Sequence, residues 1–379
     1  MKDTDTNYYL EIEAIREAAL NDCAHIEYRL DHPLREEYYM MLYNRKKLKL
    51  KKDLIEDTLA FQNYHFFKTL GRYQFANFNC VPTIYDISFD FTKQRIYTSA
   101  QFGSFRSISA LLVSKGVKLC AILADKAIKE NGEQFKLLYK KLFTNGTNSG
   151  TYVTIDASDP KILFKLKKYK ANNFSFLIFF DGDAGTFSGE IDRNLTQVSF
   201  LNKLFRVRKG ISYISYFLKI PLQPVHCVIQ KDYSCRLNLG DLISFSEGQK
   251  REDFVQEALS KIWKDFEFYI KKYPEQWLVL PMAHHFYIEQ FYQGKPSKFS
   301  DECSFMLNIN RYKIIETTKP FLFDMANGIK YHLSENMLYV LKKIYENDLS
   351  LKKAEFTEIF KAEDLQNQFI ENEIFTSLS

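Results

Sequence analysis

Residues 97–112 read YTSAQFGSFRSISALL, and the fold class turns on how this stretch is parsed. Tyr97–Ala100 has the texture of a strand end, Gln101–Ser104 that of a small-residue turn, and the remainder that of an apolar helix. A strand–turn–helix unit is where α/β proteins gather ligands, because binding crevices form at the carboxyl ends of sheet strands. The turn carries Gln101 and Arg106 where a proton-transferring pair would be expected.

The same alternation extends outward. QRIYTSA, VKLCAILAD, TYVTIDA, NFSFLIFF, PLQPVHCVIQ and SCRLNLGDLIS read as strands, and so does TIYDISFDF. SFRSISALLVSKG, DPKILFKLKKYKA and KGISYISYFLKI read as helices. Strands alternating with short helices predict βαβ units and a mainly parallel sheet flanked by helices. Before it, NYYLEIEAIREAALNDC and DLIEDTLAFQNYHFFKTL repeat apolar residues at helical spacing, with Asp53 placed to cap the second. After it, Phe254, Ala258, Ile262 and Phe266 form one helical stripe halted by Pro274. The last part reads as three short strands, YKIIETT, PFLFDMA and GIKYHLS, and then three short helices, SENMLYVLKKIYEN, LKKAEFTEIF and EDLQNQFIENEIF. The expected organisation is therefore an N-terminal helical region over 1–78, an α/β domain over 79–309 and a small α+β module over 310–379.

Composition narrows the function classes. With 46% apolar and 26% charged residues the chain is an ordinary folded protein. A net charge of +5 over 379 residues gives no nucleic-acid footprint. The basic run NRKKLKLKK at 44–52 reads either as a solvated helix face or as a surface for an acidic partner. The six cysteines show no metal-like spacing, and no signal-peptide core or long apolar window is present, which predicts a soluble, cytoplasmic chain with reduced thiols.

Four stretches taken in order resemble the lysophospholipid acyltransferase superfamily, in its lipid A late acyltransferase branch. Phe102-Gly103 matches the family's "HFGNWE" block, and Asp181, Asp183, Ala184 and Gly185 its "DQDAG" loop. Gly210 with Pro221, Pro224 and Val225 matches the third block, and Tyr273-Pro274-Glu275-Gln276-Trp277 the "PEQ(Y/W)LW" block. The resemblance covers roughly residues 80–290 and implies acyl transfer from a thioester donor, acyl-CoA or an acyl carrier protein as co-substrate, with no bound cofactor. The family's general base and its orienting acid fall on Gln101 and Arg106. An amide does not accept a proton near neutral pH and a guanidinium does not release one, and loss of a general base costs about 10²–10⁴ in rate.

Three readings of the altered pair stand. An amine acceptor needs no base, with Gln101, Ser104 and turn amides stabilising an oxyanion. Alternatively the base has moved, to His226, His284 or His285. Or the site binds without turnover. Asp181 and Asp183 sit where a strand ends, either lining the site or capping their own turn, and no third ligand accompanies them to hold a metal. Arg206, Arg208, Lys209 and Gly210 in FRVRKG read as a phosphate-binding helix start or as an exposed basic turn. Arg106 is expected to pair with a carboxylate, one of those aspartates being the candidate. Family members usually carry an N-terminal membrane anchor. None is read here, so the implied acceptor is soluble.

The β-β-β-α-α-α order of the C-terminal module resembles the RiPP recognition element, the winged-helix module that binds a leader peptide as an added strand. That resemblance implies a peptide-modifying pathway and places the peptide on the edge strand GIKYHLS. A plain C-terminal cap is the alternative.

Overall fold

A computed structural model describes residues 3–50, 57–125, 127–129, 151–182, 194–287, 304–346, 351–352 and 374–378. The chain divides into two units, one made of Met1–Asp22 with Leu48–Ile288 and the other of Cys23–Lys47 with Glu289–Ser379. The N-terminal helices are thus shared out. Helices α1 (Asp3–Asp22) and α3 (Asp57–Ala76) belong to the first unit, and α2 (Arg35–Lys47) to the second. The reason lies in the buried faces. In α1, Tyr8, Ile12 and Ala19 join the core of the first unit. In α2, Tyr38, Tyr39 and Tyr43 are buried, and Tyr43 meets Phe323 edge-on at 5.8 Å.

The first unit is built on a seven-stranded sheet in the order β1-β9-β8-β2-β5-β3-β4. Its strands are β1 (Thr83–Ile84), β2 (Ile96–Ser99), β3 (Lys118–Leu123), β4 (Thr151–Asp156), β5 (Ser175–Phe179), β8 (Leu222–Ile229) and β9 (Cys235–Leu239). Every pairing is parallel except β8 with β9. Helices α4 (Phe105–Ser114), α5 (Ile162–Ala171), α6 (Gly210–Leu218) and α7 (Arg251–Lys272) intervene or follow. The expected TIYDISFDF strand shrinks to two residues, because Asp86 and Asp90 turn back on the amides of Ser88 and Thr92. An antiparallel hairpin, β6 (Leu195–Phe200) with β7 (Lys203–Arg208), occupies the stretch before α6.

Strand alternation sends opposite faces of the sheet to different partners. In β8, Val225, Cys227 and Ile229 join a core with α4 residues Ile108, Leu111 and Leu112 and α3 residue Leu70. The residue between, His226, instead stacks on Phe266 and Tyr269 of α7. All eight β8 residues are buried, as a central strand covered on both faces requires.

The second unit holds an antiparallel sheet β11-β12-β13 (Tyr312–Ile315, Phe321–Asp324, Lys330–His332), followed by α8 (Glu335–Glu346). A further sheet joins β10 (Ser304–Leu307) to β14 (Leu351–Lys352) and β15 (Phe375–Leu378). The expected second and third C-terminal helices lie largely outside the described residues, and their described ends are strands. Asp324 anchors this unit: fully buried, it accepts from Arg311 Nε at 3.0 Å and Nη2 at 2.9 Å and from the Ala326 amide at 2.7 Å.

In the basic run, Asn44 and Arg45 are buried while Lys46 and Lys49 are exposed. The solvated-face reading therefore holds for only part of it.

Candidate functional site

Connections leaving β2 and β5 diverge. The chain passes from β2 through α4 to β3 on one side, and from β5 to β8 on the other. Neighbouring strands whose connections part in this way open a crevice at their carboxyl ends. The 100–104 loop lies there.

That loop is stitched by its backbone to two segments, β8 and residues 276–278. Its Gly103 N–H donates to the Gln276 carbonyl at 2.9 Å, its Ser104 N–H to the Cys227 carbonyl at 2.9 Å, and its Gln101 carbonyl accepts from Leu278 N at 2.9 Å. Gly103 has φ +57, and a Cβ there would stand 2.2 Å from the Cys227 carbonyl oxygen. Only glycine fits. Gln276 continues the stitching with its side chain, accepting from Ile229 N at 3.0 Å and donating to Ile229 O at 2.8 Å. It thereby satisfies the end of β8 as a neighbouring strand would.

Asp181 closes the arrangement from β5. Its carboxylate is fully buried and accepts from the Gln101 N–H, at 3.0 Å and 2.9 Å to its two oxygens, and from Trp277 Nε1 at 2.9 Å. The residues of the FG block, the aspartate loop and the PEQW block thus meet at one point. Asp181 fixes the backbone under Gln101. Asp183, Ala184 and Gly185 lie outside the described residues.

Gln101 itself is half-buried, and its side-chain amide makes no hydrogen bond among the described residues. Ser104 is sealed, 1% exposed, with its hydroxyl 2.7 Å from that of Ser107. It does not face an incoming acceptor. Arg106 forms no ion pair among the described residues, so the expected pairing is not made with Asp181, and Asp183 lies outside them. Its guanidinium lies over the Phe105 ring at 4.4 Å, and burial, with Arg72 nearby, lowers its pKa to about 10.

The basic segment runs from a strand into a helix start. Arg206 and Arg208 lie on β7 and Lys209 immediately precedes α6, which begins at Gly210. The Leu201-Asn202 turn, with φ of +50 and +60, folds β7 back on β6. Arg206 N donates to the Phe286 carbonyl, and Phe205 bridges Tyr287. His284 and His285 therefore run up to β7 at the end of a short 3-10 turn (Leu280–His285), their rings 4.0 Å apart. His226 is fully buried; its Nε2 pairs with Asp265 Oδ2 at 2.9 Å, and its Nδ1 has no partner among the described residues. Sealed among Phe102, Phe180, Phe266 and Tyr269, it does not reach the loop surface in this conformation.

Sequence reasoning passed over the bonding roles of Gln276 and Trp277 and the close approach of Gly71, where a Cβ would stand 3.0 Å from the Gly103 carbonyl oxygen. A glycine inside the apolar helix pattern TLGRYQ was the available signal for the last, since such glycines mark close packing. Among the described residues, no three His, Cys, Asp or Glu side chains converge as a metal site, and no helix is long and apolar enough to cross a membrane. No protein-family model and no curated protein matches this chain.

Proposed function

We propose that the first unit transfers an acyl group from a thioester, acyl-CoA or an acyl carrier protein, to an amine or hydroxyl of a soluble acceptor such as a peptide. An amine is the favoured nucleophile. The observation that carries this reading is the Asp181 clamp, which holds Gln101 at the sheet's carboxyl edge with its side-chain amide unbonded among the described residues. A primary amide in that position donates to the thioester carbonyl as it becomes an oxyanion. The free amine attacks the carbonyl carbon, the C–N bond forms, and the C–S bond breaks. The departing thiolate takes the proton released by the nitrogen. No enzyme base is needed for an amine already unprotonated, which agrees with Gln101 and Arg106 at the two altered positions.

The resemblance to the lipid A acyltransferase branch supports the reading through the convergence of Phe102-Gly103, Asp181 and Gln276-Trp277. For the second unit we propose leader-peptide binding by strand addition to β13. Among the described residues it is the terminal strand of its sheet and pairs only with β12.

A second reading, binding without turnover as a scaffold in a peptide-modification or lipid pathway, is favoured by the sealing of Ser104 and His226. Purified protein given a panel of acyl thioesters with amine, alcohol and peptide acceptors separates the two. Acceptor-dependent appearance of an acylated product by mass spectrometry supports transfer, and silence across the panel supports the scaffold.

A further inference from the structure

We propose that the exposed face of α5 docks on an anionic phospholipid surface, with Phe164 inserted among the headgroups and lysines around it. Residues 161–170 read KILFKLKKYK, five lysines with no acidic residue. Of the residues of α5 only Leu166 is buried, so the helix is attached along one narrow line. Helical spacing sets Phe164 opposite that line, with Lys161, Lys167 and Lys168 three or four positions away on the same side. Phe164 is 80% exposed and Leu163 46%. Lys167 holds its ammonium over the Phe217 ring at 4.8 Å, and Phe217, near the end of α6, is itself 41% exposed. Lys170 donates to the Leu218 carbonyl, so α5 and the end of α6 present one continuous face.

A single exposed aromatic is ordinary on a protein surface; its setting here is not. Lys161, Lys167 and Lys168 are exposed and form no ion pair among the described residues, and the neighbouring Asp159 carboxylate is bonded to Lys165. The face therefore joins cations that lack anions to apolar side chains that lack cover. Anionic phospholipid supplies both, phosphates for the ammoniums and an acyl boundary for Phe164, Leu163 and Phe217. An acidic protein is less suited. A helix of 10 residues is about 15 Å long and about 10 Å wide, well short of the roughly 800 Å² that each partner gives to a stable protein interface. A bilayer needs no shape-matched counterpart, since each residue that reaches the interface adds its own share. The inference concerns where the unit is held, and it stands whether or not the unit transfers acyl groups.

The test is sedimentation of the full chain with vesicles of equal parts phosphatidylcholine and phosphatidylglycerol and, separately, of phosphatidylcholine alone. Binding to the anionic vesicles, weakened by added sodium chloride, is expected. Phe164→Ser is expected to lower the partition coefficient about 10-fold or more, and Lys167→Gln and Lys168→Gln about 5-fold each. All three side chains are exposed, so these variants leave the core untouched. Lys118→Gln, at an exposed position at the start of β3, removes the same charge elsewhere and is expected to leave binding unchanged. Absence of binding to anionic vesicles, equal binding to neutral ones, or an equal loss in Lys118→Gln and the α5 lysine variants overturns the proposal. So does unaltered binding by Phe164→Ser, and so does a lipid-free dimer that Phe164→Ser dissociates, which would give the face to a second copy of the chain.

Discussion

Trp277 donates its indole N–H to Asp181 Oδ2 at 2.9 Å across 96 positions of sequence, and the loop carrying Gln101 is held between them. The aspartate also accepts the Gln101 amide, so one buried carboxylate ties the ends of β2 and β5 to the segment after α7.

Replacing that carboxylate leaves two buried donors facing an amide or a void. Asp181→Asn is expected to lower stability by about 2–4 kcal/mol, and Trp277→Phe by about 1–2 kcal/mol, since hydrogen bonds to charged groups exceed neutral ones. Denaturant unfolding of each variant measures the difference, and equal costs would contradict the central place given to Asp181.

Gly103 and Gly116 both have positive φ, +57 and +83, yet only Gly103 is crowded. Gly103→Ala is expected to cost about 3 kcal/mol or more, through strain and the forced retreat of β8. Gly116→Ala, with nothing within 4 Å of its Cβ, is expected to cost only the left-handed penalty of about 1–2 kcal/mol. Paired thermal melts distinguish them.

Among the described residues no carboxylate compensates the charge of Arg106. In the absence of ligand, Arg106→Gln is therefore expected to leave stability unchanged or raise it by about 1 kcal/mol. A loss of more than that in urea unfolding would mean that the guanidinium is structurally satisfied.

Burial pushes the phenols of Tyr39, Tyr97 and Tyr269 up to about 12 from an ordinary 10.0. The folded chain keeps those protons where the unfolded chain releases them. Between pH 10 and 12 the unfolded state thus binds fewer protons, and stability falls as pH rises. Alkaline titration followed by tyrosinate absorbance is expected to show a late step coincident with loss of helical circular dichroism. A late step well before unfolding would contradict the assignment.

Much of the first unit was legible in sequence because its strands and helices obey their own periods. The buried runs PLQPVHCVIQ and NFSFLIFF became central strands, and the stripe from Phe254 to Phe266 became the buried face of α7. The β6–β7 hairpin was not legible: its turn places Leu201, a poor left-handed residue, at φ +50, so the usual Asn-Gly signal is missing. The sharing of α1, α2 and α3 between units was hidden as well, since periodicity gives a buried face but not what covers it. At the site, motif residues indicated which segments meet. That Asp181 is consumed by the loop, and that Arg106 meets no carboxylate among the described residues, depended on distances that spacing does not encode.

The central claim is that Gln101, held by Asp181, assists attack on a thioester. Single-turnover thiol release from an acyl-pantetheine donor, with an amine acceptor in excess, tests it most directly. Acceptor-dependent release by the wild type, reduced about 10²-fold or more in Gln101→Ala as for removal of an oxyanion donor, is the predicted result. Release that is absent in the wild type, or unaltered by Gln101→Ala, would contradict the account.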